Sequence, residues 1–245
     1  APYGNPKYYE KIKKHLIKIH EDGSFYLDMK FFNYATGLTM TNKNFDKLFD
    51  GPPRKPESKI TQREMDLAAS VQKITEEIVL KIATHIAKET KEENLCLAGG
   101  VALNCVANGV LQRKKIFKNI WIQPASGDAG CALGAALAVH HIKMNYKKNK
   151  VNYTDLMQGS YLGPKYNNNQ IRKTLDKVGA KYHSYSNLEM IKKTAKGISE
   201  GNAVGWMQGR MEFGPRALGS RSIIGDPRSP KMQKQLNLKV KYRES

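Results

Sequence analysis

The chain has 245 residues, of which 40% are apolar and 26% are charged, a composition typical of a globular protein with one large or two modest domains. No apolar run approaches the roughly 18 residues that a membrane-spanning helix requires, and no signal peptide opens the sequence, so we expect a cytoplasmic protein. The net charge of +19 makes an anionic partner the first expectation.

The predicted elements alternate between helices and strands. Apolar periodicity predicts helices over 6–20, 101–112, 131–141, 169–178 and 188–200, strands over 23–32, 94–98, 119–123 and 203–207, and a further strand near Tyr182. A longer helix begins after Thr61, where Glu64 completes the sequence signature of a capping box. The strand–helix–strand–helix order between residues 94 and 141 predicts an α/β fold.

The residue types that often bind metals show no metal-binding spacing. Cys96, Cys105 and Cys131 lie in small apolar contexts without a CxxC pair, which predicts reduced, buried thiols. The six histidines form no HxxxH or HExxH pair, so we expect ordinary core or surface histidines.

The segment Gly209–Ile223, with the sequence GRMEFGPRALGSRSI, concentrates arginines in a chain whose basic residues are mostly lysines. Five of the nine arginines lie at or after Arg210. A guanidinium group binds phosphate or carboxylate oxygens with two N–H groups, and neighbouring glycines let the backbone approach a ligand. We therefore predict an anion site here rather than a solvated surface turn.

Two further strand-to-helix turns are candidate binding sites. Gly99 and Gly100 follow a predicted strand and precede a helix, an arrangement that can aim backbone N–H groups at a phosphate, and Asn104 adds a polar group to the same mouth. A tight turn selected for packing is the alternative.

Asp128 is the one carboxylate in the glycine- and alanine-rich turn at 126–136. Local rules favour a helix cap for Asp128, and the alternative is that its carboxylate binds a cation or a ligand hydroxyl.

Taken together, several motifs resemble the O-carbamoyltransferase family, which includes nodulation-type, cephalosporin and aminoglycoside carbamoyltransferases. In chain order they are APYG at 1–4, LAGGVALN at 97–104, SGDAGCALGAA at 126–136, YLG at 161–163, GRMEFGPRALGSRSI at 209–223 and NLKVKYRES at 237–245. The resemblance implies the later half of a Kae1-like domain, of the actin/hexokinase/Hsp70 superfamily, over 1–144. It also implies a linker over 145–160 and part of a YrdC-like α/β domain over 161–245.

The resemblance implies that carbamoyl phosphate and ATP give a carbamoyl-adenylate and pyrophosphate, after which the carbamoyl group passes to a substrate hydroxyl. It implies that Glu212 orients an arginine and that Asp128 is a ligand of a divalent metal ion, iron or magnesium, which reverses the local preference for a cap. The implied phosphate clamp is Arg216, Arg221 and Lys241, with weaker contributions from Arg210 and Arg243, and the implied nucleotide loop is Gly99, Gly100 and Asn104.

We expect the chain to be a piece of a longer protein, because it opens without an initiator methionine and closes on a strand-like alternation. The family's HxxxH metal pair has no match here, so we predict that this chain alone does not transfer carbamoyl groups. The acceptor stays open between a hydroxyl-bearing small molecule and a saccharide, and a homodimer is possible. Two alternatives are a tRNA threonylcarbamoyl module and a basic nucleic-acid-binding domain; the lysines form no long basic block, which disfavours nucleic acid.

Overall fold

The computed structural model describes residues 1–55, 58–147 and 155–240, without the side chains of Lys239 and Val240. The chain divides into two compact units. The first unit consists of Ala1–Leu97 and Val101–Ile122, and the second unit consists of Ala98–Gly100 and Gln123–Ser245. This division by contacts differs from the domain boundaries at 144 and 161 that the sequence predicts, and those boundaries stay a prediction.

The first unit is organised around one long helix. Its elements are α1 (Tyr9–His15), β1 (Ile17–Ile19), β2 (Phe25–Leu27), a 3-10 turn (Met29–Phe31), α2 (Lys43–Leu48), α3 (Gln62–Thr90), β3 (Asn94–Leu97), α4 (Cys105–Lys114) and β4 (Asn119–Ile122). The predicted capping box at the start of α3 is confirmed, since the Glu64 carboxylate accepts the Thr61 N–H at 2.9 Å. Lys91 ends the helix in the left-handed conformation.

Two clusters of buried apolar side chains lie along α3. The larger cluster joins Ile74 and Ile78 of α3 to Ile12, Phe31 and Phe49. The smaller cluster joins Ala83 of α3 to Leu111 of α4 and to Phe117. Burial of these side chains away from water is the main favourable term for the first unit.

The first residues of the chain are held on α3 by a buried carboxylate. Asp66 is 2% exposed and accepts hydrogen bonds from the Asn5 N–H at 2.8 Å and the Gln62 amide at 2.7 Å. It also forms an ion pair with Lys7 at 3.0 Å. The Asn5 N–H is the largest of several contacts that lower the pKa of the Asp66 carboxyl. A Cβ atom at Gly4 would lie 1.9 Å from the Met65 carbonyl oxygen, so only glycine permits this approach.

The predicted α/β alternation is confirmed in the first unit. Strands β3 and β4 pair in parallel, from Asn94 opposite Asn119 to Leu97 opposite Ile122, and α4 connects them. Leu95, Leu97 and Ile120 pack against the smaller apolar cluster. The sheet therefore has one face on the core.

The second unit has a different organisation. Its elements are α5 (Asp128–Ala138), a π-helical turn (Val139–Lys143), a turn at Gln158–Ser160, α6 (Asn168–Lys177), α7 (Asn187–Ser199), β5 (Val204–Met207), β6 (Arg221–Ile224), α8 (Met232–Gln235) and a π-helical turn (Leu236–Val240). Among its described residues, the buried non-glycine side chains are Ala125, Met232, Ser126, Ser160, Glu212, Ser220 and Asp226. Polar groups thus form most of its buried interior.

Several sequence-based expectations are wrong in detail. The helix predicted over 6–20 ends at His15, because Ile17 and Ile19 instead form β1 opposite β2. The strand predicted over 23–32 narrows to Phe25–Leu27, and the residues around Tyr182 form no strand. The strand β6 went unpredicted.

The prediction of buried cysteines is also wrong, since Cys96, Cys105 and Cys131 are exposed free thiols. Cys96 lies opposite Trp121 on the face of the β3–β4 sheet that points away from the core, and Trp121 is exposed too. Among the described residues, no helix is both long and apolar enough to cross a membrane.

Candidate functional site

The arginine-rich segment is a long loop that closes a β-hairpin in the second unit. Strands β5 and β6 are antiparallel, with Met207 opposite Arg221, and residues 208–220 connect them. Gly209, Gly214 and Gly219 have φ angles of +59°, +128° and +113°. Glycine adopts such angles without a steric penalty, which explains why glycine occupies these three positions of the loop.

Glu212 organises this loop from inside. Its side chain is buried, and Oε1 accepts hydrogen bonds from the Leu218 N–H at 2.8 Å and from the Ser220 N–H at 2.7 Å. The bond from Ser220 is the largest of the contacts that lower the pKa of this carboxyl. Within the described chain its carboxylate forms no ion pair with an arginine. Backbone N–H groups bind one oxygen of this carboxylate, and the expectation that Glu212 orients an arginine stays a prediction.

Arg221 closes the base of the loop. Its Nη1 donates to the carbonyl oxygens of Gln208 at 3.1 Å and Ser220 at 2.8 Å, and its Nη2 donates to the Gly209 carbonyl at 3.3 Å. These three bonds engage one end of the guanidinium group with the loop itself. The predicted contact of Arg221 with a ligand stays a prediction. The three hydrogen bonds show that Arg221 also orders the loop.

Arg216 differs from the other charged side chains of the loop. It is exposed and forms neither a hydrogen bond nor an ion pair with any residue that the structure describes. Arg210 is also exposed, but its Nη1 donates to the Gly163 carbonyl at 2.8 Å. A guanidinium group with all its donors available can hold two oxygens of one anion. Arg216 is accordingly the group best suited to bind a ligand.

The arginine loop lies against the turn that precedes α5. A Cβ atom at Gly214 would lie 2.7 Å from the Pro124 carbonyl oxygen and 3.3 Å from the Ala125 nitrogen. The turn in its own right is tight, since a Cβ atom at Gly130 would lie 2.0 Å from the Ala125 carbonyl oxygen. Glycine at 214 therefore lets two of the predicted motifs meet through their backbones.

The glycine pair also contacts the turn that precedes α5. The Gly99 N–H donates to the Ser126 carbonyl at 2.8 Å, and the φ angle of Gly99 is +93°. The space beside both glycines is open in the described part of the chain, because no described residue other than the chain neighbours has an atom within 4 Å of a Cβ built at Gly99 or at Gly100. The segment Pro124–Ser126 thus connects the glycine pair with the arginine loop.

Asn104 lies in the first unit and has local partners. It is the N-cap of α4, and its side-chain oxygen accepts the Ala107 N–H at 3.1 Å. Its amide also donates to Gln72 of α3 at 2.9 Å. These contacts explain Asn104 as a structural residue, and its predicted place in a nucleotide loop stays a prediction.

Asp128 begins α5 but does not cap it with its side chain. The N-cap is Gly127, and no side-chain cap hydrogen bond is present. A carboxylate in the first helical turn still interacts favourably with the helix dipole. Across the described residues, no group of three or more histidine, cysteine, aspartate or glutamate side chains could hold a metal ion. The residues described here therefore do not complete a metal site around Asp128.

The remaining predicted site residues, Lys241 and Arg243, lie outside the described part of the chain. Conversely, sequence reasoning missed the segment 155–164 as a partner of the arginine loop. The Phe213 N–H donates to the Ser160 carbonyl at 2.6 Å, and the Gly163 N–H donates to the Met211 carbonyl at 2.9 Å. The YLG motif at 161–163 was a signal for this role, because its glycine passes close to Met211.

Sequence reasoning also missed the ion pair that follows β6. Asp226 is buried and accepts hydrogen bonds from the Arg228 side chain, among them one from Nε at 2.9 Å and one from Nη2 at 2.8 Å. The hydrogen bond from the Arg228 side chain is the main reason that the pKa of Asp226 falls to about 2. The guanidinium group of Arg228 is therefore occupied by the Asp226 carboxylate.

Family profiles match two parts of the chain. The carbamoyltransferase N-terminus matches residues 1–137, and the carbamoyltransferase C-terminus matches residues 195–245. The matched ranges contain the glycine pair, Asp128 and the whole arginine loop.

Individual relatives match over the full chain. This chain is 58% identical to an uncharacterised protein of Synechocystis over 249 aligned residues, which cover 40% of that protein's length. It is 36% identical to the nodulation protein NolNO of Sinorhizobium fredii and 35% identical to the nodulation protein NolO of Bradyrhizobium diazoefficiens, over 34% and 42% of those proteins. The chain thus spans well under half the length of the curated relatives that it matches.

Proposed function

Because the chain belongs to the carbamoyltransferase family, we propose that it contributes to an ATP-dependent O-carbamoyltransferase. In this reaction water first cleaves carbamoyl phosphate to carbamate and inorganic phosphate. A carbamate oxygen then attacks the α-phosphorus of ATP, which gives a carbamoyl-adenylate as pyrophosphate leaves. The hydroxyl oxygen of an acceptor then attacks the carbamoyl carbon, and AMP leaves. The acceptor is a hydroxyl-bearing small molecule or a saccharide, and a cytoplasmic location and a homodimer stay predictions.

The observation that carries the proposal is the state of Arg216. Glu212 and Arg221 bind the loop backbone, while the guanidinium group of Arg216 bonds to none of the residues that the structure describes and so has N–H donors to offer a ligand. Phosphoryl chemistry requires positive groups held in place before the reaction, since little of the catalysis depends on covalent work by the protein. A loop ordered by its own hydrogen bonds meets that requirement, with Arg216 on the phosphate oxygens.

The glycine pair supports a second contact with the nucleotide. The space beside Gly99 and Gly100 is open, so a ligand can approach the backbone there. The Gly99 N–H already binds Ser126, which leaves the Gly100 N–H as the donor for a phosphate oxygen in our proposal. We assign Arg210, Arg221, Lys241 and Arg243 secondary roles in the same clamp.

The metal ion is a separate matter. Asp128 supplies one carboxylate, and the described residues bring no set of further donors around it. We therefore derive no step through iron or magnesium. For the same reason we predict that this chain alone binds ligands but does not turn over, and sustained carbamoyl transfer by the isolated chain would contradict this prediction.

Calorimetric titration with ATP, with and without carbamoyl phosphate, tests the clamp. We expect saturable binding by the chain, and a loss of about 10- to 100-fold in affinity in Arg216→Ala, because a charge-assisted contact contributes about 1.5–3 kcal/mol. Arg172→Ala is the matched control, since Arg172 is an exposed arginine of α6 outside the arginine loop.

Two outcomes would contradict the clamp. If Arg216→Ala binds ATP as tightly as the unaltered chain, the phosphate contact lies elsewhere. If neither protein binds ATP but both bind generic RNA with a steep dependence on salt, the nucleic-acid alternative gains the support.

A further inference from the structure

We propose that Tyr161 is a positioning residue for the arginine loop, acting on Arg216 through the Leu218 carbonyl group. This inference rests on the proposed function only for its effect on ligand binding; its effect on the loop is independent. The loop is residues 208–220, and the segment that holds it, Ser160–Pro164, is called the strap below.

The strap begins at a strained turn. Gln158, Gly159 and Ser160 have successive φ angles of +49°, +62° and +74°, although two of them are not glycine. Residues in this conformation persist only where surrounding contacts hold them. Asp155 supplies such contacts, since its carboxylate oxygens accept the Met157 N–H at 2.9 Å and the Gly159 N–H at 2.6 Å.

The Ser160 side chain indicates what the strain achieves. Ser160 is fully buried, and its hydroxyl oxygen has no hydrogen-bond partner among the residues that the structure describes. A buried hydroxyl without a partner costs free energy, so the position is not selected for that group. The strained turn instead places the Ser160 carbonyl group so that it accepts the Phe213 N–H at 2.6 Å.

The strap next pairs with the part of the loop that precedes Arg216. The Gly163 N–H donates to the Met211 carbonyl at 2.9 Å, and the Met211 N–H donates to the Pro164 carbonyl at 3.0 Å. A Cβ atom at Gly163 would lie 2.8 Å from the Met211 carbonyl oxygen, so the close approach requires glycine. The part of the loop that precedes Arg216 is therefore held by backbone contacts.

Tyr161 holds the part of the loop that follows Arg216. Its hydroxyl donates to the Leu218 carbonyl at 3.1 Å, across 57 positions in the sequence. The N–H of the same residue is held by Glu212 at 2.8 Å. Tyr161 and Glu212 thus hold the two polar groups of Leu218, two residues after Arg216. Because the loop is held on both sides of Arg216, the backbone that carries Arg216 has little freedom to reorient.

Tyr161→Phe tests the inference, because it removes the hydroxyl and keeps the ring. The matched control is Tyr166→Phe, which removes a hydroxyl from an exposed tyrosine shortly after the strap for which the structure gives no hydrogen bond. The first measurement is the rate of trypsin cleavage after Arg216, relative to cleavage after Lys192 on α7. The second is the dissociation constant of pyrophosphate, with the unfolding midpoint as a check on the fold.

We expect Tyr161→Phe to accelerate cleavage after Arg216 and to weaken pyrophosphate binding by about 2- to 10-fold, the range for the loss of one neutral hydrogen bond. The unfolding midpoint, the cleavage after Lys192 and all properties of Tyr166→Phe should match the unaltered chain. A merely structural role for Tyr161 would change the unfolding midpoint without this selective effect at Arg216.

The outcomes separate the inference from the proposed function. Unchanged cleavage and unchanged pyrophosphate affinity in Tyr161→Phe would overturn the inference, even when Arg216→Ala loses binding. Faster cleavage after Arg216 in a chain that does not bind pyrophosphate would support the positioning role and count against the proposed clamp.

Discussion

The two units of this chain are stabilised in different ways. The first unit has two clusters of buried apolar side chains, both in contact with the long helix α3. In the second unit, the described buried side chains are mostly polar, and α5 has no buried residue although its sequence is nearly all apolar. Hydrogen bonds from Glu212, Arg221 and the strap give the second unit its defined loop.

This difference separates stability from ligand binding. A packed apolar core resists local change, because each side chain contacts many others. A loop held by a few directional bonds can be altered at one bond without loss of the fold, and binding residues are commonly found on such loops. The four predictions that follow test this contrast, from the largest expected effect to the smallest.

Phe49→Ala should strongly destabilise the first unit. Phe49 is fully buried, and its ring lies 4.6 Å from that of Phe45 and 5.4 Å from that of Tyr8. Removing a buried aromatic side chain costs about 3–5 kcal/mol, through lost transfer free energy and the cavity that is left. Urea denaturation followed by circular dichroism measures the change in the free energy of unfolding.

Leu38→Ala is the control for Phe49→Ala, since Leu38 is fully exposed and its loss should change stability by less than about 0.5 kcal/mol. Equal effects of the two substitutions would mean that the larger apolar cluster does not carry the stability of the first unit.

Gly214→Ala should destabilise the arginine loop by about 1–3 kcal/mol. Alanine at a φ of +128° is strained, and its Cβ would lie 2.7 Å from the Pro124 carbonyl oxygen. Amide hydrogen exchange at residues 208–220 should accelerate while exchange in α3 stays unchanged. Accelerated exchange in both places would show that the two units are not independent in stability.

Gly134→Ala provides the opposite sign. Gly134 lies inside α5, where no described residue outside the helix backbone has an atom within 4 Å of the added Cβ, so alanine should stabilise the helix by about 0.5–1 kcal/mol. A destabilising effect there would indicate a neighbour that packs closely against α5.

The smallest expected effect concerns acid pH. Asp226 has a pKa of about 2 in the folded chain, against an ordinary value of 3.8. A lowered pKa means that its contribution to stability is fully present above about pH 4 and is lost as the pH falls towards 2. Arg228→Ala should return the pKa of Asp226 to its ordinary range, which a carboxyl titration by NMR measures.

Asp226→Asn should abolish the acid dependence of exchange at the Arg228 N–H, which donates to the carboxylate at 2.9 Å. An unchanged acid dependence in this variant would assign it to another carboxyl group.

Local patterns in the sequence were sufficient for several features. The start of α3 was predicted because a capping box involves residues three positions apart, Thr61 and Glu64. The α/β alternation was predicted because β3, α4 and β4 are consecutive in the chain and each shows its own periodicity. The family was predicted because its motifs are contiguous strings, and the profile matches confirm it.

The partners of the charged groups were decided by tertiary structure. Glu212 and Arg221 have the charges of an ion pair, yet they bind backbone groups that the folding of the loop presents to them. Tyr161 reaches Leu218 across 57 positions, and β6 exists as a strand through pairing with β5. The sequence thus determined which residue types are available for anion binding. Only the fold determined that Arg216 bonds to none of the described residues, because hydrogen-bond partners depend on contacts between distant parts of the chain.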